Sequence, residues 1–332
     1  MTVIVGTPMN TVSGGPELAH QLCYVLNKNG IAAYMFYYDE SGDVQDVETP
    51  DVYRKYDTKH IADDSILCHK NTAFVIPETA VPLCMRYPKC KKFLWWMSVD
   101  NYLAAYVDDS SFVGDTKVDP LHILEVPGLM HLVQSDYARD FVEHKMHVEC
   151  SRIKRLSDYL NDEFLNGPQI ASAFKQDFIA YNPQKGYEVL KPIIEASPQF
   201  KWFPIINMTP VDVGNLLRLA KVYVDFGGHP GKDRIPREAA ISGCCVITNK
   251  KGSAAYEKDV PIPETYKFED VDANRDEIIK LIRSILNDYE GHRKNYEGYC
   301  EMIRGEKNQF EQDALAIFGE SIYGHMNTGG RR

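Results

Sequence analysis

The sequence predicts an α/β protein made of two successive domains, and three observations carry that prediction. The chain opens on a β-branched run, a glycine-rich loop, a helical-period stretch and a second β-rich run, which together read as a strand–helix–strand unit. The same alternation restarts near Asp177 after an irregular stretch. The length of 332 residues exceeds what one core ordinarily fills and suits two domains of roughly 100–200 residues each.

The first element is the apolar run Thr2–Thr7, followed by Pro8, Asn10 and Ser13-Gly14-Gly15-Pro16-Glu17. Leu18, Leu22, Val25 and Leu26 then recur at helical spacing, and Asn29-Gly30 stops the helix. Ile31–Tyr38 reads as the next strand, and Thr72–Ile76, Lys92–Met97 and His122–Val126 as further ones. The segment His131–Ser135 and a helix from Tyr137 to about His144 complete a first domain at 1–155. Residues 150–175 break the alternation, show no clear strand and contain Asn166-Gly167-Pro168, so the linker is placed at 156–175.

The second domain is placed at 176–305. Asp177–Tyr181 is a short strand, Asn182-Pro183-Gln184-Lys185-Gly186 a turn, and Tyr187–Ala196 a helix. Phe200–Ile206 is a strand, Val211–Ala220 a helix and Val222–Phe226 a strand. A Gly/Pro-rich loop, 227–236, leads to a helix at Arg237–Ser242 and a strand at Cys244–Thr248. Asn274–Asn287 is an amphipathic helix with Ile278, Leu281, Ile282, Ile285 and Leu286 on one face. A last helix starts near Asn308, and 324–332 reads as a mobile tail.

Composition narrows the function. Hydrophobic residues at 44% and charged residues at 25% are globular values. No apolar run approaches the ~18 residues of a membrane helix, and the N-terminus reads as a buried strand instead of a signal peptide. The net charge of −10 weighs against a nonspecific nucleic-acid binder. Residues 151–250 alone carry a basic excess, 13 Lys and Arg against 10 Asp and Glu. The eight cysteines form no C-x-x-C and have no paired histidines, so zinc ligation is poorly supported and a reducing, cytoplasmic setting is expected.

Ligands of open parallel sheets sit outside the carboxyl ends of the strands. Three loops occupy such ends. Gly14-Gly15 lets a backbone approach a ligand and opens a helix whose N–H groups favour an anion; a plain tight turn is the other reading. Lys185, beside Asn182, ends a strand and can reach a diphosphate as a point charge, or is a surface lysine. The richest stretch is Gly227-Gly228-His229-Pro230-Gly231-Lys232-Asp233-Arg234-Ile235-Pro236-Arg237-Glu238. Its glycines permit close approach, and Lys232, Arg234 and Arg237 gather at a helix start, a physical description of a diphosphate site. Glu238 is placed to accept from a ribose diol. The alternative is a solvated ion cluster of Asp233, Arg234, Arg237 and Glu238. Asp100 is a candidate acceptor base or a helix cap. Asp108-Asp109 is a candidate acidic pair or a solvated face. Trp95, Trp96, Tyr102 and Tyr106 form an acceptor platform or core.

The succession of apolar strand, polar loop, Glu238-Ala239-Ala240, Gly243 and Val246-Ile247 resembles the C-terminal motif of retaining GT-B glycosyltransferases, the Glu-x7-Glu group that includes glycogen synthase, sucrose synthase and bacterial mannosyltransferases. The likeness covers about residues 1–320. It aligns the family's second glutamate with Glu238, its Lys-Gly with Lys185-Gly186 and its glycine loop with Gly14-Gly15. Pro230 stands where the family has its first glutamate, with His229 beside it. Ala180 stands at the family arginine, and Gly231-Lys232-Asp233 replaces Gly-Phe-Gly.

The resemblance implies two Rossmann-like domains facing across a cleft, with residues 306–323 crossing back to the first. It implies transfer of a sugar from a nucleotide diphosphate sugar to a glycan or lipid-linked acceptor in surface polysaccharide or glycan synthesis, without metal or cofactor. Lys185, Arg234, Glu238 and His229 inherit the catalytic roles, with Asp100 added if the reaction inverts. Gly14, Gly15, Asn182, Lys185, Gly228, His229, Lys232, Arg234, Arg237 and Glu238 inherit donor binding. No nucleic acid is expected as partner, and membrane contact is at most weak and peripheral, through Lys89, Lys91 and Lys92. A GT-B epimerase or hydrolase and a non-catalytic nucleotide-sugar binder are the alternatives.

Overall fold

The structure is a computed structural model describing residues 1–107, 118–168 and 170–319. Asp108-Asp109 and the tail 324–332 therefore lie outside the described residues. The chain divides into two compact units, Met1–Asp158 with the chain from Asn308 onward, and Tyr159–Lys307.

The first unit holds six strands: β1 (Thr2–Pro8), β2 (Ala33–Tyr38), β3 (Thr72–Pro77), β4 (Lys91–Trp96), β5 (Met130–Val133) and β6 (Ile153–Arg155). Their order is β2-β1-β3-β4-β5-β6, and every neighbouring pair is parallel. A parallel sheet is covered on both faces, which is why its strands read as continuous apolar runs. Ile4, Phe36, Phe74, Leu94 and Trp96 share one core cluster. The helix Gly14–Lys28 buries Leu18, Leu22 and Leu26 completely or nearly so.

Two expectations fail here. His122–Val126 is not a strand but contains a 3-10 turn, Ile123–Glu125. Pro127 and Gly128 (φ +68°) follow, and the strand forms only at Met130. The 150–175 stretch does contain a strand, β6, which pairs with β5 at His131↔Ile153. Three of the four aromatics are core: Trp95, Trp96 and Tyr102 are buried, with the Trp95 indole donating to Leu156 O at 2.9 Å and the Trp96 indole to His131 Nδ1 at 3.0 Å, whereas Tyr106 is half-buried.

Glu78, directly after β3, is also buried and accepts from Met97 N at 3.1 Å. Burial pushes its carboxyl up to about 7, against hydrogen bonds from the Met97, Glu78 and Ser98 backbone. The folded chain thus keeps a proton that the unfolded chain releases near its ordinary 4.5. Folded molecules bind more protons between those two pH values, so stability falls as pH rises through that window, by about 3 kcal/mol, and is flat above it. Glu78→Gln is expected to remove that slope and to be the more stable protein at pH 8. Urea melts of both at pH 5 and pH 8 check this, and equal slopes would refute it.

The second unit holds β7 (Gln176–Tyr181), β8 (Trp202–Pro204), β9 (Ala220–Asp225), β10 (Cys245–Asn249) and β11 (Lys267–Phe268), ordered β11-β10-β9-β7-β8 and all parallel. The amphipathic helix Arg275–Asn287 sinks Ile278, Ile282 and Ile285 into this core. Leu160 and Phe164, in the segment read as a linker, belong to the same core. The last helix starts at Glu297, ahead of the expected Asn308, and runs to Phe318; the division between units falls inside it. Lys175 is buried and donates to Leu217 O, Ala220 O and Ser242 O at 3.0, 2.8 and 2.8 Å. It thereby ties the C-terminal ends of the helices Pro210–Leu219 and Arg234–Ile241 together.

Both sheets reverse their winding beside the first strand of the unit, between β1 and β3 and between β7 and β9. A crevice outside the carboxyl ends is expected at each reversal. Among the described residues no helix is long and apolar enough to cross a membrane.

Candidate functional site

At the second unit's reversal, the turn after β7 meets the loop after β9. Gly186 has φ +67° and begins the helix Tyr187–Ala196. A Cβ there would lie 2.4 Å from Phe226 O and 2.8 Å from Gly227 N, so the two backbones touch only because the residue is glycine. Asn182 closes the turn by accepting from Gln184 N at 3.0 Å. This approach brings Lys185 Nζ to 2.9 Å from Asp233 Oδ1, with the lysine side chain 38% exposed.

The loop is built inward from Asp225. That carboxylate is buried, accepts from the Tyr223 hydroxyl at 2.9 Å and from Gly227 N at 3.0 Å. His229 adopts φ 49° and is 1% exposed. Its Nδ1 lies 3.1 Å from Asp233 Oδ2, and its Nε2 lies 3.0 Å from Thr248 Oγ1 and 3.7 Å from Asp225 Oδ1. Burial alone would push the imidazole down. The hydrogen bond to Asp233 and the charges of Asp225 and Asp233 outweigh it and hold its pKa above the ordinary histidine value. For Asp233 burial acts upward, and His229 and Lys185 outweigh it, holding the carboxyl below the ordinary range. Lys185, Asp233, His229 and Asp225 therefore form a row in which Asp233 lies between the ammonium and the imidazole, and the imidazole between two carboxylates.

Residues at and after the end of β10 hold the loop from the other side. Asn249 Nδ2 donates to Gly227 O at 2.8 Å, Ser253 N to His229 O at 2.9 Å and Ser253 Oγ to Gly231 O at 2.6 Å.

The expected cations separate into two groups. Lys232 and Arg237 are buried and point at Glu306: Lys232 Nζ is 2.7 Å from one carboxylate oxygen, Arg237 Nη1 2.7 Å from the other. Arg237 also donates to Asp233 O at 3.1 Å and Lys232 O at 3.0 Å. Lys185 and Arg234 are half-exposed at the mouth, with Arg234 opening the helix Arg234–Ile241 and Glu238 one turn further in, 9% exposed. Gly228 is exposed, whereas His229 is sealed inside the loop. Gly14 and Gly15 open the first helix of the other unit. Asp100 neither caps its helix nor stands open: Ser98 is the cap, and Asp100 Oδ1 accepts from the Tyr137 hydroxyl at 2.7 Å.

Three acidic residues escaped the sequence reading of this site. Asp225 was detectable as a lone acid ending an apolar strand. Asp233 appeared only in the solvated-cluster alternative, and Glu306 had no sequence signal, being one acid among several on a long helix. Asp225, His229 and Asp233 offer ligand atoms within 4.8 Å of one another, the only metal-capable grouping among the described residues. Those atoms are already engaged with each other and with Lys185, Tyr223 and Thr248.

The first unit's reversal also forms a cavity, of about 440 Å³. It is lined by residues at and beyond the ends of β1, β2 and β3, among them Met9, Thr11, Tyr38, Glu40 and Thr79, and by Tyr106 of the helix after β4. Its Arg86 is engaged with Ser41 O, Gly42 O and Asp43.

No family profile matches the chain, and no curated protein matches it. Solved structures do. A glycosyltransferase of Rickettsia africae aligns at TM-score 0.61 and 13% identity over 99% of each chain. Sucrose-phosphate synthase of Thermosynechococcus elongatus aligns at TM-score 0.61 and 13% identity over 99% of this chain and 100% of that one. HepE of Anabaena, solved in complex with UDP-glucose, aligns at TM-score 0.66 and 8% identity over 96% and 99%. These likenesses show the fold: the two parallel α/β units are those of the GT-B class. The Glu-x7-Glu subgroup is not confirmed, and Pro230 occupies the place of its first glutamate.

Proposed function

We propose that this GT-B chain is a glycosyltransferase that takes its sugar from a nucleotide diphosphate sugar and passes it to a glycan or lipid-linked acceptor. The observation that carries this reading is the meeting of Lys185 with the Arg234–Glu238 helix start at the carboxyl ends of β7 and β9. Departure of the donor leaves negative charge on a phosphate oxygen. Fixed cations and a helix start stabilise it as an oxyanion hole stabilises an alkoxide. Lys185 and Arg234 are the groups at the mouth and take the phosphates directly. Lys232 and Arg237, paired with Glu306, hold the loop rigid. Glu238 is the ribose ligand. His229, enclosed by two carboxylates, positions Asp233 instead of touching sugar. The cavity of the first unit, on a neutral-to-acidic rim, is the acceptor's place.

Glu238→Ala and Arg234→Ala are each expected to weaken nucleotide-sugar binding about tenfold, the worth of one charge-assisted hydrogen bond. Calorimetry with a panel of nucleotide sugars measures this, and unchanged affinity in both variants would refute the site. Pro230 at the missing glutamate supports one further reading, a nucleotide-sugar binder without transfer. Product analysis with and without acceptor separates the two, since the binder yields no released nucleotide in either case.

A further inference from the structure

The reading above places a diphosphate at Lys185, and in this structure an acid of the chain itself already stands there. Asp233 is the N-cap residue of the helix Arg234–Ile241, with φ −58° and ψ 136°. An aspartate at that position ordinarily turns its carboxylate to the first N–H groups of its own helix. Asp233 makes no such bond. Its two oxygens are shared instead between Lys185 Nζ at 2.9 Å and His229 Nδ1 at 3.1 Å. A carboxylate held between an ammonium and an imidazole in front of a helix start copies what two anionic oxygens of a phosphate require at the same place.

The backbone of its turn brings Lys185 to Asp233. Gly186 and Gly227 press its turn against the second loop, and a Cβ on Gly227 would itself lie 3.0 Å from Lys185 Cβ. The lysine is thus delivered to Asp233 by backbone contact and yet stays 38% exposed, open to an arriving anion.

We propose that Asp233 is the resident anion of the phosphate site: a diphosphate displaces it from Lys185, and the strength of that internal pair sets how tightly nucleotide binds. The inference rests on the proposed donor site and adds a regulator of affinity to it. A diphosphate carries more charge than one carboxylate and takes the ammonium; Asp233 keeps His229. No bond is made or broken, and the exchange is of ion partners only. The groups facing the imidazole are Asp225, Asp233, Lys185 and the Thr248 hydroxyl, so His229 keeps Asp225 as a neighbour throughout.

The experiment is calorimetry of inorganic pyrophosphate with the wild type, Asp233→Asn and Asp233→Ser at low salt. Serine lacks the charge and is a good helix cap, so it keeps the fold secure. Both variants are expected to bind about fivefold tighter or better, the effect of deleting one like charge near the ligand. In both, Lys185 is also expected to undergo reductive methylation faster than in the wild type, with pyrophosphate protecting it. Damage to the fold cannot produce a gain in affinity. If the wild type binds pyrophosphate and both variants bind it equally or more weakly, Asp233 only orients Lys185 and the resident-anion idea is wrong while the donor site stands. If none of the three binds pyrophosphate or any nucleotide sugar, the donor site itself falls, and this inference with it.

Discussion

Glu306→Ala is expected to destabilise the protein by about 3–5 kcal/mol, the typical result of removing one partner from a buried ion pair. The carboxylate is 4% exposed and meets both Lys232 and Arg237 at 2.7 Å. Without it two desolvated cations, 5% and 1% exposed, lose the carboxylate they share. Neither can reach water without moving the loop that Arg237 pins through Asp233 O and Lys232 O. Urea unfolding should show a lower midpoint with an unchanged slope. Exchanging all three groups for apolar residues of matching volume should recover much of the loss, because an ion triad that is never desolvated costs nothing. A Glu306→Ala variant within 1 kcal/mol of the wild type would mean the triad is solvated in practice.

Gly186→Ala should be nearly as severe and should also weaken ligand binding. The residue sits at φ +67°, where a side chain costs about 1–2 kcal/mol. Its Cβ would also stand 2.4 Å from the Phe226 carbonyl, which is backbone and cannot swing aside. The expected total is about 2–4 kcal/mol of stability. The turn must then back away from the second loop, taking Lys185 with it, and pyrophosphate affinity should drop about tenfold, the loss of one charge-assisted contact. Gly15→Ala is the control: there a Cβ would meet only the Met97 side chain at 3.7 and 3.9 Å, ordinary contact. If the two alanines behave alike in thermal melts, the close approach is not what fixes the turn.

The fold was readable at most of the strands that lie inside a parallel sheet. β1, β3, β7, β9 and β10 announce themselves as short β-branched runs followed by polar, Gly- or Pro-containing loops. Expectation failed where the local pattern was shared by two structures. His-Ile-Leu-Glu-Val at 122–126 has the apolar content of a strand, but Pro127 and Gly128 stop it short of the sheet. β6 is three residues long, Ile-Lys-Arg, and too polar to stand out.

The site was half legible for a related reason. Spacing along the chain located the cations beside the helix start correctly, because that much is local. Which way each cation turns is decided by partners far away in sequence: Glu306 for Lys232 and Arg237, Asp233 for Lys185. His229 likewise reads as an available group until Thr248 and Asp225 are seen to enclose it. A list of residues gives the charges in a loop but not their pairing.

The winding reversal repeated in each sheet bears on how far such sequences can drift. In the connections beyond the strand tips a change of residue leaves the layered interior untouched. Selection can therefore rewrite the recognition segments wholesale, while the interior needs only to stay greasy and well filled. Solved structures that share 13% of their residues with this chain over nearly its full length show the same fold. For a fold of this kind, the path of the chain is kept more readily than its local sequence.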